Sequence, residues 1–308
     1  MYSCLCILLF AWMPLGCAQD LRGQTFYFAG IIEPPFIIKT DDNRYEGFLV
    51  DVMDKIAERE GFSYRLRDVP QRPEDRLLGL ISSKQLDGAL APLTITTERK
   101  NQVDFTYPYM ITELVMVHKP LEPGYQVELR KLEQLFDNQE LSFGVIRGGT
   151  TYSFLTNSGD KLYQALGNQL KIMESSLPAS FQVAYNRTVK EPFVFITERA
   201  LAEYAIHRDC RLIIGAELGY HRIEYGIAIQ KNSPLARPLD NQLLRLYEEG
   251  VIDQLYQHWW RGDCPKQRLC ICPEKDKKNN GANATMPLLG CALFVLMTIW
   301  WFFQLQLI

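Results

Sequence analysis

Two short stretches of the sequence combine residues that could bind a charged small molecule. In the first, Ala91–Arg99, a strand-like run ends at Pro92, and a proline there leaves nearby carbonyl groups without ladder partners. Thr94 adds a hydroxyl, and Arg99 falls in the first turn of a predicted helix. A guanidinium can hold a carboxylate through two parallel hydrogen bonds. The alternative for Arg99 alone is a solvated surface arginine.

The second stretch, Gly148-Gly149-Thr150-Thr151, opens another predicted helix. Backbone N–H groups at a helix start have no partners within the helix, and together with the positive end of the helix dipole they attract an anion. The alternative is that a threonine simply caps the helix.

Strand and helix signals alternate along the chain in two series, which predicts parallel sheets covered by helices. We expect the elements of the first series at Phe26–Ile32, Gly47–Gly61, Phe62–Leu66, Leu77–Ile81 and Asp87–Leu93. Those of the second are expected at Leu141–Ile146, Tyr152–Leu155, Phe193–Ile196, Arg199–His207 and, as one long amphipathic helix, Leu239–Trp260. Two such series predict two lobes facing a cleft, and ligands of such sheets lie beyond the carboxyl ends of the strands.

The chain closely resembles the ligand-binding domain of ionotropic glutamate receptors, of the non-NMDA, kainate-like type, over about residues 24 to 265. The matching motifs are Ile32–Phe36, Asn43–Val52, Ala91–Arg99, Val103–Tyr109, Gly148–Thr151, Phe195–Glu198, Tyr225–Ala228 and Trp259–Cys264. The resemblance implies an α/β, bilobed, periplasmic-binding-protein-like clamshell of type II, with two doubly wound lobes joined by two crossover strands. Lobe 1 would comprise 22–117 and 228–264, and lobe 2 would comprise 118–227.

The resemblance also implies a ligand, L-glutamate or a related amino acid, and a role for each matched residue. These are Arg99 for the α-carboxylate; the Pro92 carbonyl, Thr94 and Glu198 for the ammonium group; Thr150 and Thr151 for the distal carboxylate; Glu33 and Tyr225 at the cleft edge; and a disulfide between Cys210 and Cys264. Tyr225 could equally be a packing residue, and Glu198 alone could be a surface residue.

The sequence departs from the family in two places. The lobe-1 loop that carries a ligand-covering tyrosine is shortened to Val69–Asp75 and has no aromatic residue. The receptors insert three membrane segments between the two parts of the domain, whereas here His118–Tyr125 leads directly into Glu128–Phe136. No apolar run long enough to span a bilayer lies there, so we expect no pore. We also expect no amino-terminal domain ahead of Thr25.

Both ends of the chain are apolar and predict export. Residues 1–18 are typical of a signal peptide, and 265–285 read as a charged stalk. The uncharged segment 286–308 follows small polar residues, which favours a glycosylphosphatidylinositol (GPI) signal with attachment at Asn280, the alternative being a membrane helix. Export makes Asn186 and Asn283 candidate glycosylation sites. It also fits the even number of cysteines that would remain, Cys210, Cys264, Cys270 and Cys272.

The charge balance and the residue types limit the function classes. With 33 Lys and Arg against 36 Asp and Glu, the chain lacks the positive surplus of a general nucleic-acid binder. We expect a non-enzymatic binding protein on the outer face of the plasma membrane, with no cofactor and no metal. One alternative is an accessory subunit for pore-bearing receptor subunits. The other is an enzyme that uses Glu33 and Glu198 as an acid/base pair.

Overall fold

The computed structural model describes residues 20–69, 74–120, 129, 131–137, 141–219 and 222–264. Its strands are β1 Thr25–Gly30, β2 Ile38–Lys39, β3 Tyr45–Glu46, β4 Ser63–Asp68, β5 Gly88–Leu90, β6 Asp104–Phe105, β7 Met110–Thr112, β8 Leu114–His118, β9 Ser142–Gly144, β10 Phe193–Glu198, β11 Ile213–Glu217, β12 Ile223–Tyr225 and β13 Ala228–Ile229. Its α-helices are α1 Phe48–Glu60, α2 Glu74–Ser82, α3 Thr97–Gln102, α4 Gln134–Asp137, α5 Thr150–Asn157, α6 Lys161–Ile172, α7 Phe181–Lys190, α8 Arg199–Ile206, α9 Ala236–Glu248 and α10 Val251–Trp259.

Helix α1 forms where the sequence predicts it, between two glycines. Phe48, Val52 and Ile56 recur every four residues and bury one face of the helix. At Gly47 a side chain would collide with the backbone, because a Cβ would lie 2.5 Å from the Phe36 carbonyl oxygen. At the other end Gly61 adopts the left-handed conformation (φ 74°) that commonly terminates helices.

The first sheet has the strand order β4-β1-β5-β13-β6 and defines lobe 1. Strand β1 runs parallel to β4 and to β5, as predicted, but β13 is antiparallel to β5 and to β6. The parallel pairing predicted for the strands of the first series is therefore confirmed, and β13, which the sequence did not predict, makes the sheet mixed. The reason is connectivity: β13 enters the sheet after the chain has returned from the other lobe.

The second sheet has the order β11-β8-β10-β9 and defines lobe 2. Strands β9 and β10 are parallel, whereas β8 is antiparallel to β10 and to β11, so this sheet is also mixed. Helices α5 and α8 confirm the predicted helices at these positions. Helices α6 and α7, which together bury Leu166, Leu170, Phe181 and Ala184, were not predicted.

Two strands cross between the sheets side by side. Strands β7 and β12 form an antiparallel pair in which Ile223 opposes Thr112 and Tyr225 opposes Met110. The chain thus passes from lobe 1 to lobe 2 along β7 and returns along β12, as expected for two lobes joined by two crossover strands.

The single helix predicted over Leu239–Trp260 is wrong. Helix α9 ends at Glu248 and α10 begins at Val251, because Gly250 between them takes up the left-handed conformation (φ 70°). The helical spacing of apolar residues continues from α9 into α10, so this spacing alone does not indicate the break at Gly250.

The end of α10 contacts both lobes through two neighbouring indoles. The Trp259 Nε1–H donates to Asp51 Oδ2 in α1 at 2.7 Å, and the Trp260 Nε1–H donates to the Ala200 carbonyl in α8 at 2.6 Å. The buried Trp260 ring also meets Phe36 edge-on, with centroids 5.3 Å apart. Four residues later, Cys264 is joined to Cys210 by a disulfide bond.

Within the residues that the structure describes, no helix has the length and apolar character needed to cross a bilayer. The predicted signal peptide (1–18), stalk (265–285) and C-terminal apolar segment (286–308) lie outside the described residues, as do Asn280, Asn283, Cys270 and Cys272. Residues 70–73 of the shortened loop and most of 121–130 lie outside them too.

Candidate functional site

A cavity of about 70 Å³ opens where the carboxyl ends of parallel strands from both sheets converge. Residues that follow β1 and β5 form one side, and residues that follow β9 or lie at the end of β10 form the other. A single buried water needs only about 10–15 Å³ on the same measure, so the cavity has room for a small ligand. Its place at the strand ends is where open α/β sheets bind ligands.

Most of the predicted ligand-binding residues line this cavity. Those that do are Glu33, Pro92, Thr150, Thr151, Glu198 and Tyr225. The remaining lining is mainly apolar, with Ile31, Ala91, Leu93, Ile146, Ile196 and Leu201 between the polar groups. Thr94 and Arg99 are not among the lining residues, although both lie next to it.

Main-chain hydrogen bonds hold the Pro92 side of the cavity. The Ile95 N–H donates to the Glu224 carbonyl at 2.8 Å and the Gly226 N–H donates to the Leu93 carbonyl at 3.2 Å, which pairs Thr94 with Tyr225 in the crossover strand. This segment leads into α3, whose cap is the Thr96 hydroxyl.

Arg99 lies in the first turn of α3 and is buried, with 8% of its surface exposed. Its backbone N–H donates to Thr96 Oγ1 at 3.2 Å, and its Nη1 donates to the Thr94 carbonyl at 2.8 Å. The guanidinium is therefore turned back toward the strand end, and it is not the solvated surface arginine of the alternative interpretation.

Side-chain hydroxyls hold Glu198 on the opposite side. Thr151 Oγ1 donates to Glu198 Oε1 and Thr197 Oγ1 donates to Glu198 Oε2, both at 3.1 Å. Glu198 ends β10 and immediately precedes α8, so no loop separates the strand from the helix. A carboxylate fixed in this way can accept a further hydrogen bond from a cationic group in the cavity.

The two sides touch at the start of α5. Thr94 Oγ1 and Thr150 Oγ1 lie 3.3 Å apart, within hydrogen-bonding distance. Thr150 and Thr151 are the first residues of α5, and Gly149 before them has no side chain with which to cap the helix. Gly149, Thr150 and Thr151 all line the cavity, so the positive end of the helix faces it and favours an anionic group there.

Tyr225 lines the cavity and also packs in the interior. It therefore has features of both interpretations that the sequence left open, a cleft-edge residue and a packing residue. Its ring meets Phe36 edge-on, with centroids 5.8 Å apart. Burial raises the pKa of its hydroxyl well above the usual value, and the carboxylates of Glu198 and Glu33 raise it further, while Arg99 lowers it. Tyr225 therefore stays neutral and serves as a wall of the site.

Sequence reasoning missed Thr197. This residue is 1% exposed, lines the cavity and bonds to Glu198. A signal was present, because Thr197 follows four apolar residues in a strand buried along its whole length, where an unexplained polar residue is informative. Within the described part of the chain, no group of three or more His, Cys, Asp or Glu side chains could hold a metal ion.

The model of the family "Bacterial extracellular solute-binding proteins, family 3" matches residues 30–262, which is most of the chain. The chain belongs to this family. Its bilobed, periplasmic-binding-protein-like α/β fold agrees with the fold class expected from the sequence. This family member is also homologous to ionotropic glutamate receptors of the kainate type.

Two relatives and one solved structure show how similar this chain is to glutamate receptors in sequence and in fold. A "Probable glutamate receptor" of Lithobates berlandieri is 21% identical over 364 positions, covering 79% of this chain and 74% of the relative. "Glutamate receptor ionotropic, kainate 5" of Homo sapiens is 21% identical, covering 83% of this chain and 40% of the relative. The structure "Drosophila muscle GluRIIB complex with glutamate" superposes with a TM-score of 0.69 at 22% identity, covering 78% of this chain and 100% of that one.

This family member spans about two fifths of the length of the kainate receptors that it matches. The alignment with the Lithobates protein has more positions than this 308-residue chain, yet it covers only 79% of the chain. That relative therefore carries stretches that have no counterpart here.

Proposed function

We propose that the chain binds L-glutamate, or a closely related amino acid, between its two lobes. The observation that carries this proposal is the arrangement of charge around the cavity. A buried guanidinium adjoins one side, a fixed carboxylate lies on the other, and a helix start faces the same space. An amino acid with an acidic side chain offers one carboxylate, one ammonium group and a second carboxylate to these three partners.

In this proposal Arg99 takes the α-carboxylate, while Glu198, the Thr94 hydroxyl and the Pro92 carbonyl surround the ammonium group. The distal carboxylate meets the start of α5. The Thr151 hydroxyl already donates to Glu198, so it must rotate to reach that carboxylate. The backbone N–H groups of α5 need no such change, and we expect them to contribute more than the Thr151 hydroxyl does.

Calorimetric titration of the full chain with L-glutamate tests the proposal. Arg99→Ala should lower the affinity at least 100-fold, because each charge-assisted bond contributes about 1.5–3 kcal/mol and the guanidinium can form two of them. Arg65→Ala, an exposed arginine on β4, is the matched control and should bind like the wild type. An unchanged affinity in Arg99→Ala would remove the site from consideration.

We further propose that the protein works at the cell surface without a pore of its own, anchored through residues 286–308. The direct connection between the two halves of the domain supports the lack of a pore. We assign 22–117 and 228–264 to lobe 1 and 118–227 to lobe 2, with the adjustment that strand β8 (Leu114–His118) belongs to the second sheet, which moves the first limit ahead of Leu114. Release from cells by a phosphatidylinositol-specific phospholipase would identify a GPI anchor, and retention would identify a membrane helix.

An accessory role beside pore-bearing receptor subunits rests on the same homology. Co-purification with such a channel tests it, and the Arg99→Ala variant separates the two proposals. If that variant still assembles and supports the channel fully, the chain acts in assembly; if its effect on the channel is lost, ligand binding is what matters.

A further inference from the structure

Glu198 occupies a position at which a side chain normally caps a helix, yet it does not act as a cap. It is the residue immediately before α8, and its carboxylate accepts no hydrogen bond from the first turn of that helix. A residue at this position usually accepts from the second or third N–H of the helix. The Glu198 carboxylate instead faces the cavity and accepts from Thr151 and Thr197.

The crossover strand satisfies the start of α8 in its place. The first N–H of the helix, from Arg199, donates to the Glu113 carbonyl at 2.7 Å. The second, from Ala200, donates to Thr112 Oγ1 at 3.1 Å. Thr112 is the last residue of β7 and is buried, with 8% of its surface exposed. Its hydroxyl therefore takes the N–H that Glu198 would otherwise be placed to accept.

Other contacts keep the helix start next to the crossover strand. Arg199 Nε donates to Glu113 Oε1 at 2.5 Å, and its Nη2 is paired with Glu217. The Trp260 indole holds the Ala200 carbonyl at 2.6 Å. Because these bonds fix the backbone around Ala200, removal of the Thr112 hydroxyl would leave one N–H without its acceptor while the helix stays where it is.

We propose that Thr112 is a positioning residue for Glu198: it caps α8 from the crossover strand and so leaves the Glu198 carboxylate available to the cavity. Without the Thr112 hydroxyl, Glu198 is the residue whose side chain the N-cap position places to accept from the Ala200 N–H, and its carboxylate turns from the cavity toward its own helix. The effect on ligand affinity rests on the proposed glutamate site, whereas the turn of the carboxylate does not.

The test compares three threonine variants of the full chain. Thr112→Val keeps the shape and removes the hydroxyl, and Thr112→Ser restores a hydroxyl. Thr188→Val is the matched control, because Thr188 is also buried and its hydroxyl donates to a helix carbonyl, that of Ala184, in α7. We expect Thr112→Val to weaken L-glutamate binding about 5- to 20-fold. Thr112→Ser and Thr188→Val should stay within about twofold of the wild type.

A crystal structure of Thr112→Val shows whether the Glu198 carboxylate has moved. If Thr112 only stabilised the fold, the carboxylate would keep its position. The proposal requires the Glu198 carboxylate to lie within hydrogen-bonding distance of the Ala200 or Leu201 N–H. A carboxylate that remains on Thr151 and Thr197 overturns it. If the wild type binds no glutamate, the proposed ligand is wrong, and the position of the carboxylate alone then decides the role of Thr112.

A double-mutant cycle of Thr112→Val and Glu198→Ala, measured by denaturant unfolding, covers the case in which Thr112→Val does not crystallise. In the wild-type background Glu198 is not a cap, so Glu198→Ala removes the bonds from two hydroxyls that can rotate, and the Ala200 N–H keeps Thr112 as its acceptor. In the Thr112→Val background Glu198 becomes the cap, so the same change should lower the midpoint of denaturant unfolding clearly further. Equal shifts in the two backgrounds would contradict the proposal.

Discussion

On the Pro92 side of the cavity the chain is held by main-chain hydrogen bonds to the crossover strand, whereas on the Glu198 side the carboxylate that faces the cavity is held by side chains. Leu93 and Ile95 pair with Gly226 and Glu224 through their backbones. Glu198, by contrast, depends on threonine hydroxyls and on a helix that is tied down by an ion pair, an indole and a disulfide. Backbone pairing survives most substitutions, so the lobe-1 side should tolerate side-chain changes that the lobe-2 side does not.

The largest expected effect is loss of the tether near α8. The bond between Cys210 and Cys264 closes a separation of 54 residues, for which the loop-entropy model gives about 4 kcal/mol of stability. Denaturant unfolding of the double variant Cys210→Ser with Cys264→Ser measures this. Amide hydrogen exchange should quicken in α8 and stay nearly unchanged in α3. A loss below about 1 kcal/mol, or equal changes in both helices, would remove the contrast between the two sides.

Glu198→Gln should have the next largest effect. It keeps the size of the side chain and removes the charge, so a ligand ammonium group would lose a charge-assisted bond worth about 1.5–3 kcal/mol. We expect calorimetry to show a loss in L-glutamate affinity of roughly 10- to 150-fold. Glu191→Gln, in an exposed ion pair with Arg187, is the control and should bind normally. Equal affinities for all three proteins would mean that Glu198 does not meet the ligand.

A pair of threonine substitutions compares the two sides directly. Thr96→Ala removes the cap of α3 and should cost about 1 kcal/mol of stability, with affinity within about twofold of the wild type because backbone bonds keep the strand end in place. Thr197→Val should do the reverse: its buried site accepts valine, but Glu198 loses a partner, and affinity should fall about 5-fold. Denaturant unfolding and calorimetric titration of both variants measure these effects. A loss of affinity in Thr96→Ala together with an unchanged affinity in Thr197→Val would contradict the difference between the two sides.

The smallest expected effect is a pH dependence in lobe 2, away from the cavity. His118 Nε2 accepts from the Leu129 N–H at 3.3 Å, so Nδ1 carries the proton and donates to the Lys119 carbonyl at 2.7 Å. Burial lowers the pKa of His118 below its usual 6.5. The unfolded chain therefore takes up a proton first as the pH falls, and the free energy of unfolding should decrease below about pH 6.5, then level off below the folded-state pKa.

Unfolding of wild type and His118→Gln between pH 8 and 5 measures this decrease. The slope attributable to His118 should disappear in the variant. The control is His258→Gln, at an exposed position on α10, which should keep the slope. A slope that persists in His118→Gln would assign the pH dependence to other groups.

Local signals in the sequence were enough for much of the fold. Helix α1 could be bounded because two glycines enclose one apolar face, and strands β1, β4, β5 and β10 follow from apolar or alternating runs. The break at Gly250 could not be seen, because the apolar spacing of α9 continues into α10. The antiparallel β13 was missed for another reason: its direction depends on where the chain re-enters the sheet, which is a property of the whole topology.

In the candidate site, too, the sequence identifies single residues but not the contacts between residues that are far apart in the chain. Pro92, Thr150 and Glu198 could be singled out because they follow predicted strands or open a helix, and the resemblance assigned their roles. The Thr94–Thr150 contact and the Thr112 cap join residues that are far apart in sequence, and no local pattern encodes such pairs. Thr197 could have been suspected, but its partner could not, because a strand pattern does not say which way the neighbouring carboxylate turns.

The paired indoles at the end of α10 tie the two halves of the molecule to one point near the end of the described chain. Trp259 reaches α1 and Trp260 reaches α8, although the two residues are adjacent. Because the Trp260 ring also packs against Phe36 in lobe 1, a rotation of one half against the other would have to strain or break the hydrogen bond between Trp260 and Ala200. That bond lies only four residues before Cys264, so a tether attached beyond Cys264 would be displaced by such a rotation.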